Sequence, residues 1–150
     1  MSQFWRRAFN LLYRILAAVD PLVRAIWRRF GLGNTLELQV AGRAGGGHRS
    51  RLVGLLRTRR GWYVGHPNGH TGWTRDLEQA GEAELRWPDG RRVRVRAERV
   101  PRGREREGAI RATIQHPFPG NVIYWLGRSR VRAAGVFFRI HAGPTPQADR

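Results

Sequence analysis

The sequence predicts a mainly β protein of the α+β class, a small antiparallel barrel with helices at its amino end and near its carboxyl end. Three observations predict it. Between Thr35 and Val100, short runs alternate apolar and polar residues with period two, the pattern of strands that bury one face. Turn signals separate these runs, most clearly Pro88-Asp89-Gly90, where an Asp-Gly pair joins two alternating stretches as a hairpin. Helical periodicity is clearest over Phe4–Phe30 and recurs between Arg102 and Ala134, with one short helical stretch, Trp73–Ala80, among the strands.

A chain of 150 residues with 41% hydrophobic content has enough material for one core, and its aromatic content argues against disorder. We divide it into a helical segment over residues 1–33, a barrel over 34–143 and a frayed tail over 144–150. The absence of cysteine excludes disulfides, thiolate metal sites and cysteine nucleophiles. All 28 basic residues are arginine, against 11 acidic ones, for a formal charge of +17. Such a surface attracts polyanions: nucleic acid, anionic lipid or a phosphorylated cofactor. Without lysine there is no Schiff-base chemistry.

In the first segment, Phe4, Trp5, Ala8, Leu11, Leu12, Ile15, Val19, Leu22, Ile26 and Phe30 share one helical arc, opposite Arg6, Arg14, Arg24 and Arg28. Asp20-Pro21 predicts a break, with Asp20 as N-cap and Pro21 opening a second helix that ends near Gly31–Gly33. The runs are too short and too often broken by arginine to span a bilayer. Two readings fit this face: it covers the barrel, or it also lies on an anionic membrane as an interfacial helix.

Thr35–Val40 predicts the first strand and Leu52–Arg57 the second. Arg59-Arg60-Gly61 turns into a third, Trp62–Gly65. A loop at His66–Gly72 precedes a helix, Trp73–Ala80, stopped by Gly81. Ala83–Trp87 and Arg91–Val100 form the hairpin, and the second of these sets an arginine face against an apolar one. Arg102–Gln115 reads as helix, His116–Gly120 breaks it, and Asn121 caps a helix running towards Ala134. Val136–Ile140 is the last strand.

Between the first two strands lies Ala41–Arg51, rich in glycine and arginine. Glycines let successive N–H groups converge, and the guanidinium forks of Arg43, Arg49 and Arg51 match phosphate or carboxylate, so the stretch reads as an anion cradle. The alternative is a surface loop with solvated arginines. Five histidines (His48, His66, His70, His116, His141) show no metal-ligand spacing, and no metal site is assigned. No G-x-S-x-G elbow and no carboxylate pair marks a hydrolase. The arginines are spread over every element, with no zinc-finger spacing, helix-turn-helix or base-stacking strand motif, which counts against nucleic acid. Trp62 reads as core, and Trp73 as both core and pocket wall.

The order of these signals resembles the deazaflavin-dependent nitroreductase family, small split β-barrels related to flavin-binding barrels of the pyridoxamine-phosphate-oxidase type. The resemblance rests on Gly42-Arg43-x-x-Gly46-x-x-Arg49 after a strand, the basic-Gly turn into Trp62–Gly65, and Trp73-x-x-Asp76-Leu77 with Ala80-Gly81. It runs from about Leu36 to Val100, with a looser fit over Val136–Ile140. It implies a split barrel that binds coenzyme F420 and passes hydride to a quinone, nitroaromatic or similar small acceptor. It places Gly42, Arg43, Gly46 and Arg49 on the coenzyme's phosphate and acidic tail, and Trp73 and Asp76 on the helix backing the pocket. The chain departs from the family pattern at Ala44, Gly45, Leu52, Pro67 and Asn68; Arg51 and His48 supply donors near the missing lysines. The expected cofactor set is therefore Gly42, Arg43, Gly45, Gly46, His48, Arg49, Arg51, Asn68, Trp73 and Asp76, with Tyr124 the candidate on the acceptor side. FMN is the alternative cofactor, and a barrel holding FMN, haem or lipid without turnover, or a basic membrane or nucleic-acid module, is the alternative function. The resemblance leaves monomer and homodimer open and implies a cytoplasmic protein, at the inner face of the membrane if the first helix is interfacial.

Overall fold

The structure is a computed structural model that describes residues 2–45 and 47–143. In chain order it runs α1 (Ser2–Ala18), α2 (Asp20–Phe30), β1 (Thr35–Ala41), β2 (His48–Gly54), β3 (Leu56–Thr58), β4 (Gly61–His66), α3 (Gly72–Ala80), β5 (Glu82–Arg86), β6 (Arg92–Arg99), α4 (Arg104–Ala112), α5 (Gly120–Leu126), α6 (Arg128–Ala134) and β7 (Val136–Ala142). The predicted tail, 144–150, lies outside the described residues.

The seven strands form one sheet in the order β2-β1-β5-β6-β7-β4-β3, and each neighbouring pair is antiparallel. β2 and β3 are its two edges, yet only Leu55 separates them in sequence. A sheet whose opposite edges are one residue apart must curl until they meet, so the strand pairing and the covalent chain together make a barrel. No ladder joins β2 to β4 among the described residues, and the barrel is left with a seam there.

Cross-strand partners share a face, so register assigns every side chain to the inside or the outside. Leu36, Leu38 and Val40 of β1 point inward with Leu85, Val95, Val64 and Phe138 into the larger buried cluster. α3 adds Trp73 and Leu77 to it. The alternate residues Leu56, Tyr63 and Phe137 point outward and are covered by Ala109, Ile110 and Val131 from α4 and α6. Arg106 of α4 is buried and holds this outer layer, its Nη2 donating to the carbonyls of Val131, Arg132 and Gly135 at 2.7–3.1 Å. These carbonyls lie at the carboxyl end of α6, where helix carbonyls run out of N–H partners; Val131 O also accepts the Gly135 N–H at 2.7 Å.

Several expectations are revised. The stretch after Ala41 is half strand: only a 3-10 turn at Arg43–Gly45 and three further glycines, Gly42, Gly46 and Gly47, separate β1 from β2, because His48–Arg51 continue the ladder with Leu38–Ala41. Asp20 does not cap α2; its carboxylate accepts from Arg24 Nε at 2.7 Å, and Val19 takes the cap position. The helix expected from Asn121 to Ala134 begins at Gly120 and breaks at Gly127 into α5 and α6. The apolar arc of the first segment does not cover the barrel. Trp27 is buried and donates Nε1–H to Thr35 O, and Arg24 reaches Glu37 at 2.8 Å, but Leu11, Ile15, Leu22 and Phe30 are each more than half exposed. The side chains of Trp5 and Leu12, also on that arc, lie outside the described residues. Among the described residues no helix is long and apolar enough to cross a membrane.

Candidate functional site

The turn between β1 and β2 is tighter than an open cradle. The Gly42 N–H donates to Gly47 O at 2.6 Å, and Gly45 and Gly47 have φ of +69° and +73°, which side chains with a Cβ rarely adopt. The Arg43 N–H and Nε both donate to Asp76 Oδ1, at 3.3 and 2.7 Å. Asp76 on α3 is fully buried, and Arg49 Nε stands 3.4 Å from its other oxygen. A Cβ added at Gly72 would sit 3.2 Å from Arg49 Nη1, so this arginine lies along the first turn of α3. The sequence-predicted residues Gly42, Arg43, Arg49 and Asp76 thus come together, but the backbone N–H groups of Gly42 and Arg43 and the Arg43 Nε–H are engaged within the protein. Gly46 lies outside the described residues.

The donors left for a ligand are on β2. Register sets Arg49 opposite Val40 and Arg51 opposite Leu38, residues of the barrel interior, so both arginines project from the inner face of an edge strand. They are exposed because the seam leaves nothing over them. Beyond the Leu55 bend, at the other end of this face, Arg57 of β3 pairs with Trp62 of β4, and Trp62 pairs with the inward Ile140 of β7. Trp62 is therefore on the inner face yet 42% exposed, with the Arg57 guanidinium carbon 5.3 Å from its ring centroid. The sequence reading placed Trp62 in the core; it is on the rim instead, because it stands at the end of β4 next to the Thr58–Gly61 turn.

Further along the same face of β4, His66 is buried, its ring edge-on to Trp73 at 6.2 Å. Burial pushes its pKa down to about 4, so it is neutral at pH 7, and Nδ1 accepts the Asn68 N–H at 3.2 Å. Asn68 Oδ1 is buried without a hydrogen-bond partner. The capping box of Thr71 and Thr74 fixes the start of α3, so Trp73 and Asp76 are placed by a rigid turn.

Two expected site residues lie elsewhere. His48 pairs with Ala41 and shares the outer face of β2 with Ser50, away from Arg49 and Arg51. Tyr124 packs into the outer cluster, its ring 4.7 Å from His116, on the far side of the sheet from Trp73. Arg57 and Trp62 are what the sequence reading missed. Period-two counting backward from buried Val53 would have put Arg51 and Arg49 on its face, and forward through Leu55 would have added Arg57.

No family model matches the chain, and none of the curated proteins compared matches it. Solved structures do. The chain is similar to HutZ, the haem storage protein of Vibrio cholerae, at 15% identity and a TM-score of 0.56, covering 85% of this chain and 92% of that one. It is also similar to a Clostridium acetobutylicum protein related to general stress protein 26 and placed in the pyridoxinephosphate oxidase family, at 13% identity and a TM-score of 0.53, covering 86% and 84%. A conserved hypothetical protein from Mycobacterium tuberculosis, Rv2991, gives 12% identity and a TM-score of 0.51, covering 73% and 72%. At these identities the likeness concerns the fold, which is a split β-barrel.

Proposed function

We propose that the seam binds a planar, phosphorylated redox cofactor of the flavin type and that the protein is an oxidoreductase of small molecules. The observation that carries this reading is that Arg49 and Arg51 are exposed on the inner face of β2, with Arg49 against the start of α3, the helix that carries Trp73 and Asp76. The residues present fit such a group. Two guanidinium forks suit a phosphate, the aromatic wall of His66 and Trp73 suits a ring system, and the partnerless Asn68 Oδ1 suits a ring N–H. A bound flavin or deazaflavin supplies hydride or electron transfer. The chain's residues would hold and shield it: Arg49 and Arg51 fix the phosphate end, Asp76 keeps Arg49 against α3, and the apolar interior beside Trp73 excludes water from the ring. FMN and coenzyme F420 both have this chemistry, and the resemblance of Gly42–Arg49 and Trp73–Leu77 favours the deazaflavin, with a quinone or nitroaromatic as acceptor.

Fluorescence and absorbance titration with FMN, coenzyme F420 and haem at moderate salt tests the reading. Charged hydrogen bonds contribute about 1.5–3 kcal/mol each, so Arg49→Gln with Arg51→Gln should weaken flavin or deazaflavin binding by at least about a hundredfold. The same changes at Arg92 and Arg94, exposed on β6, should leave it unaltered. Selective uptake of haem instead would favour storage without turnover, the role given in the description of HutZ. Equal binding by the seam variant and the wild type would remove the site from β2.

A further inference from the structure

We propose that α1–α2 and the stretch from Ile114 to Leu126 form one composite platform that docks on an anionic lipid surface. Among the described residues, both halves leave large apolar side chains exposed. Leu11, Leu22 and Phe30 on the helices are 59%, 62% and 80% exposed; Ile114, Phe118 and Trp125 on the second stretch are 67%, 80% and 60%. Isolated exposed apolar residues need no explanation, but a contiguous set of this size on a monomer marks a contact surface.

The two halves adjoin. A Cβ at Gly33, just beyond α2, would lie 3.5 Å from Pro117, the neighbour of Phe118, and Asn34 and His116 both approach Gly54. The α2 end of the first half therefore abuts the Phe118 turn of the second. α2 is also tied to the barrel by Trp27 and Arg24, which reach β1 and β2, so the helix pair is held on the same body as α5.

Charge decides the occupant. Residues 1–33 hold Arg6, Arg7, Arg14, Arg24, Arg28 and Arg29 against one acid, Asp20, which is engaged by Arg24. From Thr113 to Ala134 there is no acidic residue, and Arg128 and Arg130 follow directly after the apolar turn, with Arg132 beyond them paired to Glu107. A symmetric contact between two copies would set these arginines against themselves. A bilayer with acidic headgroups meets both needs, taking the apolar side chains into the acyl boundary while the arginines reach phosphates. The platform is independent of the cofactor reading and stands or falls alone.

Cosedimentation of the full chain with phosphatidylcholine vesicles, with and without phosphatidylglycerol, tests it, and circular dichroism confirms that each variant folds. The wild type should partition onto the anionic vesicles and not the neutral ones. Leu11→Ser with Leu22→Ser, and separately Phe118→Ser with Trp125→Ser, should each reduce partitioning by about tenfold or more, since each pair removes two apolar anchors. Failure of the wild type to bind anionic vesicles would overturn the proposal. So would unchanged binding by the Phe118/Trp125 variant, or a wild-type dimer in sedimentation velocity that either variant dissolves without loss of vesicle binding.

Discussion

At Gly54 the backbone of β2 lies so close to His116 that an added Cβ would fall 2.1 Å from the imidazole Cε1. Gly54→Ala must displace that ring and should cost about 1–3 kcal/mol in urea unfolding, as overpacking typically does. Adding His116→Ala should recover part of the loss, and a purely additive double mutant would show that the contact is unimportant. His66 carries a pH dependence. Its folded pKa, about 4, lies below the unfolded value, so the unfolded chain binds the proton first. Its contribution is complete above the ordinary histidine pKa of about 6.5 and is lost as pH falls towards 4, a change on the order of 3 kcal/mol. Urea midpoints between pH 7 and pH 4 should show this fall, and His66→Asn should flatten it. His116 is pushed down to about 4 by the same cause and adds to the slope. At this scale the sequence was informative about residue type and silent about facing. Asp76 and Arg43 were each legible as site residues through resemblance but not as partners of one another, while Trp62 looked like core because nothing local reveals that it stands at the end of the barrel.

The element that matters most is the bend between β2 and β3. Leu55 is buried, its N–H donates to Asn34 O at 2.9 Å, and Asn34 Nδ2 returns a bond to Leu55 O at 3.0 Å. The side chain of Asn34 thus completes a two-way clamp at the point where one strand leaves an edge of the sheet and the next joins the opposite edge. Asn34→Ala should lower stability by about 1–2 kcal/mol in denaturant unfolding, the worth of a hydrogen bond with its buried partner left open. If the clamp sets the seam, cofactor affinity should fall as well; a stability loss with unchanged affinity would confine Asn34 to folding. Most elements could be read from the chain: the Asp89-Gly90 hairpin, the helix ending at Gly81 with φ +68°, and the closing strand all stand close to their expected limits. The bend could not, because Leu52–Arg57 is a single apolar run whose division at Leu55 is imposed by partners far along the chain. The start of β2 was hidden for a related reason, since the ladder with β1 overrides the glycine and arginine composition of His48–Arg51.

For the molecule as a whole, 28 arginines against 11 acids mean that folding concentrates like charge. Compaction works against that repulsion, and salt screens it over about 10 Å at 0.1 M. The melting temperature should therefore rise as sodium chloride is raised from low to physiological strength. A fall would show that the ion pairs, such as Arg24–Glu37 and Arg132–Glu107, outweigh the excess. Closure of the barrel and the uncovered apolar platform belong to this scale; the barrel was legible as a fold class, while its strand order and the exposure of the apolar face were not. Strand order depends on non-local pairing, and an amphipathic face reads the same whether it meets a barrel or water.

The seam has a consequence for solution behaviour as well as for binding. Unpaired strand edges are templates on which a second chain can add, and most proteins must disarm them. Here the fold brings both edges to the same place and plants Arg49, Arg51 and Arg57 beside them. Any molecule attempting to extend the sheet through its own β2 would bring an identical row of positive charge. The residues that would greet a phosphorylated guest are thus also a guard against fibrous self-addition, and variants that neutralise them should be expected to aggregate on storage.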